Sequence, residues 1–355
     1  MPSQTSSQRL ATAAVGLAAT AYVIARLLRR RRTARSNAGG HRSSARAGGA
    51  TAQLLRAVAA RVAAGRRAAG FADVVAAAAA QADLLQVRSV RLTITARDGY
   101  ALAAKICEPA SGAPPPVAAA VFAHGGCFHD GDLESQHAVV AALASVGVAS
   151  VSSSYRQGGA HPHPAAQRDL EDVAAFVRER WPSLPFGVVG SSSGGWHALH
   201  LARALAEVRF CVALCPVADP AARAAYLRAC VAGTAPAEGY ACWHAADAAR
   251  AMLGKQLAYF RSEEAMRTAG EGVATPHAVP TLMVLGSADK NVPLRVTAAV
   301  QGWAHRTLVL GGLGHEVQGG PAADTEAGGG RGGGGKGGGD SWLPDVERFV
   351  RRSVR

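Results

Sequence analysis

Val188-Val189-Gly190-Ser191-Ser192-Ser193-Gly194-Gly195-Trp196-His197 sets three serines between glycines directly behind an apolar run. Only Ser192 has glycine both two residues before it, Gly190, and two residues after it, Gly194. That spacing suits a sharp turn from a strand into a helix, because small neighbours let the backbone fold back without a Cβ clash and leave the central hydroxyl at the tip. The flanks agree: FGVV over 186–189 has strand character, and WHALHLARALA over 196–206 reads as a helix. A phosphate-binding loop is the rival, since Gly190 and Gly195 stand at its GxxxxG spacing. Trp196, however, occupies the place where that loop needs a lysine. A polar turn without chemistry fits the pentapeptide equally well, so the rest of the chain decides.

Outward from this turn, β-type runs alternate with helical ones from residue 89: RLTIT, ALAAKIC, VAAAVFAH, GVASVSS, FGVVGS, FCVALCP, TLMVLGS and RTLVLGG. Helices are expected near 134–146, 165–181, 193–206, 292–303 and 341–352. Continuous apolar strands joined by helices predict an α/β fold, a mostly parallel sheet with helices on both faces. Arg97-Asp98-Gly99 predicts a hairpin, hence an antiparallel edge. Residues 219–275 are too long for a crossover and predict a helical cap inserted after the sixth strand. Residues 319–339, which contain GGGRGGGGKGGG, read as a low-complexity insert.

The net charge of +13 invites a nucleic-acid reading, and its placement removes it. Residues 1–72 hold thirteen arginines and no Asp, Glu or Lys, so the other 25 basic residues balance all 25 acidic ones. The body is neutral, and no nucleic-acid partner is expected. Within the leader, the apolar run 10–25 is followed by Arg26 and by Arg29, Arg30, Arg31 and Arg32. It predicts membrane association through residues 10–28, an anchor that leaves the following domain cytoplasmic. The same acid-free, Arg- and Ser-rich leader suits a chloroplast or mitochondrial transit peptide. Residues 36–50 read as a linker, closing a leader over 1–50, and 51–87 as an Ala-rich helical segment. Cys107, Cys127, Cys211, Cys215, Cys230 and Cys242 form no C-x-x-C pair and no zinc spacing, so reduced thiols and no metal are expected. The pair His161 and His163, set among prolines, reads as a loop.

Three further placements give the serine partners. His124-Gly125-Gly126-Cys127 ends the VAAAVFA strand, where a tight turn aims the N–H groups of Gly125 and Gly126, with that of Ser193, at a developing oxyanion. His124 reads as a support of that loop. Asp289 follows the TLMVLGS strand and His315 the RTLVLGG strand, at the sheet edge where open α/β folds assemble their sites. The order Ser192, Asp289, His315 gives nucleophile, orienting acid and base. Asp219 also follows a strand, but Pro220 behind it makes it a helix N-cap.

Together these residues resemble an α/β-hydrolase, and within that superfamily the hormone-sensitive-lipase-like carboxylesterases. The resemblance spans residues 88–355 and rests on RDGYALAAKICEP, HGGCFHDGD, SSSYR, GSSSGG, LGSADKNVP and GLGHEV, with YFRSEEAMRTAG in the cap similar to the family's cap helix. It implies hydrolysis of small-molecule carboxylic esters through an acyl-enzyme, with no cofactor and no metal. Cys127 stands where a third glycine is common, and Ser191 where an acid is common. Cys127, Leu227, Trp243 and Phe260 are expected to line the substrate site. An amidase or peptidase of the same fold, and a non-catalytic small-molecule-binding relative, remain as alternatives. The sequence leaves the oligomeric state open.

Overall fold

Residues 87–234, 246–311, 314–315 and 342–355 are described by a computed structural model. The leader, the Ala-rich segment and the Gly-rich insert lie outside these residues, as does Trp243. Among the described residues no helix is long and apolar enough to cross a membrane.

The eight apolar runs form one sheet: β1 (Val87–Thr95), β2 (Ala101–Pro109), β3 (Ala118–Ala123), β4 (Val148–Ser153), β5 (Phe186–Ser191), β6 (Val208–Leu214), β7 (Thr281–Gly286) and β8 (Arg306–Leu310). Their spatial order is β1-β2-β4-β3-β5-β6-β7-β8. The expected hairpin is present: β1 pairs antiparallel with β2, and Gly99 takes the positive φ of 85° its turn requires. β2 meets β4 antiparallel, and every later pairing is parallel.

Every residue of β3, β5 and β7 is buried. Successive side chains leave a strand on opposite faces, so a strand covered on both sides must be apolar throughout. Val188 accordingly joins the core on one face, with Val121, Leu170 and Trp196, and Val189 the core on the other, with Phe122, Val212 and Val284. Burying each such side chain stabilises the fold by about 1.5–3 kcal/mol.

Helices α1 (His137–Ser145), α2 (Ala165–Arg180) and α3 (Ser193–Ala204) fall within the expected stretches. The expected 292–303 helix is shorter, a 3-10 turn Leu294–Thr297 running into α7 (Ala298–Gln301), because Pro293 precedes it and Gly302 closes it. The last helix, α8 (Leu343–Ser353), closes the chain. Between β6 and β7 the chain forms α4 (Pro220–Ala232), α5 (Ala246–Phe260) and α6 (Glu263–Ala274), the helical insertion expected after the sixth strand. Asp219 caps α4, its carboxylate accepting from Ala222 N–H at 2.9 Å. One cysteine departs from expectation: Cys230 in α4 is disulfide-bonded, whereas Cys107, Cys127, Cys211 and Cys215 are free thiols.

Candidate active site

Ser192 sits between the end of β5 and the start of α3 with φ 54° and ψ −123°, a conformation L-residues rarely adopt. Surrounding bonds hold it there: its N–H donates to Leu214 O at 2.9 Å, and its carbonyl accepts from Val217 N–H at 2.9 Å and Gly195 N–H at 3.0 Å. The flanking glycines are required by space. A Cβ on Gly190 would lie 2.1 Å from Gly194 O, and one on Gly194 would lie 2.1 Å from Ala123 O. The turn therefore packs directly on the end of β3.

The loops after β7 and β8 bring Asp289 and His315 to this turn. His315 Nε2 lies 3.0 Å from Ser192 Oγ, and His315 Nδ1 lies 2.7 Å from Asp289 Oδ2. A carboxylate only accepts, so the proton between these two sits on Nδ1, which leaves Nε2 free to accept from the serine. The other carboxylate oxygen accepts from the N–H groups of Asn291 at 2.9 Å and Val292 at 2.8 Å, which fixes the acid. All three side chains are buried. Burial opposes charge on His315, but the sulfur of Cys215 and the Asp289 carboxylate outweigh it, and the imidazole pKa is raised. Among the described residues, Cys215, Asp289 and His315 form the one group able to offer ligands to a metal, with ligand atoms within 4.8 Å of one another. Two of its three members are already joined by their own hydrogen bond.

The His124–Cys127 loop lies against the elbow. His124 stacks on Tyr155 at 4.3 Å, and the Tyr155 hydroxyl donates to His124 O at 2.5 Å. Burial lowers the His124 pKa and keeps the ring neutral, as suits a support. The expected set of oxyanion donors needs one correction. Gly125 N–H points at the side chain of Gln136, 3.0 Å from Oε1, and is not free for a ligand. Gly126 N–H donates to no described residue, and Ser193, first in α3, has no intrahelical acceptor for its own N–H.

Gln136 is a residue the sequence did not single out. Its Oε1 also accepts from the Ser191 hydroxyl at 2.5 Å, so one amide ties the His124–Cys127 loop to the residue before Ser192. The contact joins positions 55 residues apart and carries no local signal. Of the expected substrate-lining residues, Cys127 is partly exposed beside Gly126. Leu227 packs instead with Tyr226, Cys230 and Ala249 inside the cap, and Phe260 packs on Phe128, Trp196 and Tyr259 in the main core. Both are buried among these apolar neighbours.

Residues 120–289 match a family described as alpha/beta hydrolase fold. Similar solved structures include the hyperthermophilic esterase of the archaeon Pyrobaculum calidifontis, 20% identical, covering 76% of this chain and 87% of that one with a TM-score of 0.57. Brefeldin A esterase, a bacterial homologue of human hormone sensitive lipase, is 19% identical over 77% of this chain and 79% of its own, TM-score 0.57. Esterase LipW from Mycobacterium marinum is 24% identical over 78% and 83%, TM-score 0.53. At these identities the likeness is one of fold. No curated protein sequence matches the chain.

Proposed function

We propose, for a chain that is an α/β-hydrolase by its fold and by the family its core matches, that it is a serine hydrolase cleaving carboxylic esters of small molecules. The observation that carries this reading is the run of contacts from Asp289 through His315 to Ser192, 2.7 Å and 3.0 Å, at the tip of a strained turn. The similar structures are those of esterases, which supports the same bond as the target.

Ser192 attacks the acyl carbon as His315 Nε2 removes its proton, and Asp289 holds the ring and balances the imidazolium. The N–H groups of Gly126 and Ser193 face the developing oxyanion, each worth about 3–4 kcal/mol in an oxyanion hole. Collapse expels the alcohol, protonated by His315, and leaves an ester on Ser192 Oγ. Water, deprotonated by the same imidazole, then releases the carboxylic acid and restores the serine. No step draws on a metal or cofactor.

Matched esters and amides, assayed with the wild-type chain and with Ser192→Ala, test the proposal. Turnover of esters that Ser192→Ala abolishes is expected. Turnover of amides alone identifies an amidase, and turnover of neither a binding protein; each overturns the reading.

A further inference from the structure

Arg223 of α4 is 1% exposed, and among the described residues no carboxylate lies within ion-pair distance of it. Its neighbours are neutral. Nη1 donates to Gln256 Oε1 at 3.0 Å and to Cys127 Sγ at 3.3 Å, and Nη2 to Asn291 Oδ1 at 2.6 Å and to Met252 Sδ at 3.6 Å, while Nε lies 3.4 Å from Asn291 O. A buried guanidinium without a counter-charge is costly, and folds keep one chiefly where a partner arrives or a pair forms.

Its position says where a partner comes from. Cys127 follows Gly126, whose N–H faces the proposed oxyanion, and Asn291 N–H holds Asp289. Arg223 thus sits between the two loops that frame Ser192. Its two weak bonds go to sulfur, a poor acceptor, on Cys127 and Met252, and both of those side chains are partly exposed. Its three strong-acceptor contacts, to Gln256 and Asn291, orient the guanidinium from behind. The Asp289 carboxylate gives Arg223 no bond: one oxygen faces His315 Nδ1 and the other the N–H groups of Asn291 and Val292.

We propose that Arg223 is the recognition site for a negatively charged group on the substrate, so that the preferred esters carry a carboxylate on the acyl chain a few bonds from the scissile carbonyl. This rests on the ester-hydrolase reading. A carboxylate entering past Cys127 and Met252 takes the two N–H groups that sulfur now holds, in the paired geometry that guanidinium and carboxylate share.

Phenyl hemiglutarate and phenyl 5-methylhexanoate, which differ by carboxylate against isopropyl, give the test. Wild-type kcat/KM is expected to favour the hemiglutarate by about 10-fold to 100-fold, the range of a charge-assisted bond. Arg223→Met should remove that ratio while still cleaving the neutral ester, whereas a purely structural arginine would depress both esters alike. Should Arg223→Met fail to fold, inhibition of neutral-ester cleavage by free glutarate, against neutral glutaramide, gives the same reading on the wild-type protein. Equal or weaker cleavage of the anionic ester, a ratio that survives Arg223→Met, or no advantage of glutarate over glutaramide overturns the inference and leaves the hydrolase standing. Cleavage of neither ester overturns both.

Discussion

Ser192, Asp289 and His315 meet across 123 and 26 residues of chain, yet each was legible, because each sits in a short motif directly behind an apolar strand. Gln136 and Arg223 were not. Gln136 joins Ser191 across 55 residues and Arg223 joins Cys127 across 96, in places no local pattern marks, and a lone Gln or Arg on a helix end or helix face looks like any solvated residue. The same limit explains Gly125: HGG announces N–H groups at a turn, but only the fold shows that Gln136 takes the first of them. Asp289→Asn should leave thermal stability near wild type and lower kcat by about 10^4-fold, since a mis-oriented imidazole is a poor base; Asp219→Asn should be close to silent, because Asn caps a helix about as well. Steady-state kinetics on proteins of matched melting temperature checks both, and the reverse pattern would reassign the acid. The raised pKa of His315 sets a pH dependence as well. As the proposed base, His315 would work only as neutral imidazole, so kcat/KM should climb with pH through a value above the ordinary 6.5, with activity lost on the acid side. A profile whose acid limb falls below 6.5 would contradict the environment described for the ring.

At the scale of elements, the sheet was readable because β3, β5 and β7 are buried along their whole length, and burial on both faces leaves an unbroken apolar run. Helix ends were less so: Pro293 and Gly302 trim the expected 292–303 helix to a 3-10 turn and one further turn, a choice made by backbone constraint that apolar periodicity does not express. The join of β5 to α3 is where element and chemistry meet. Gly194 leaves no room for a side chain, since its Cβ would meet two carbonyl oxygens of the β3 end, on Ala123 and His124, and backbone cannot swing aside as a side chain can. Gly194→Ala should therefore lower stability by about 1–3 kcal/mol and reduce esterase turnover together, read by thermal unfolding and a single-ester assay. An alanine variant with wild-type stability and turnover would show that the elbow is looser than its contacts imply.

For the molecule as a whole, charge is distributed in a way only the full sequence reveals: thirteen arginines precede the first acid at Asp73, and the remainder balances. None of the residues placed around Ser192 belongs to that leader. A chain lacking residues 1–50 should keep the wild-type kcat/KM for esters within about two-fold while its partition between membrane and soluble fractions changes; lost activity in a folded truncated chain would tie the leader to the site. Of the three adjacent serines, Ser192 alone is proposed to form the acyl-enzyme. Peptide mass mapping of the protein labelled with a fluorophosphonate reads which serine reacts. A single adduct on Ser192, absent in Ser192→Ala, is expected. An adduct on Ser191 or Ser193, or undiminished labelling of Ser192→Ala, would contradict it.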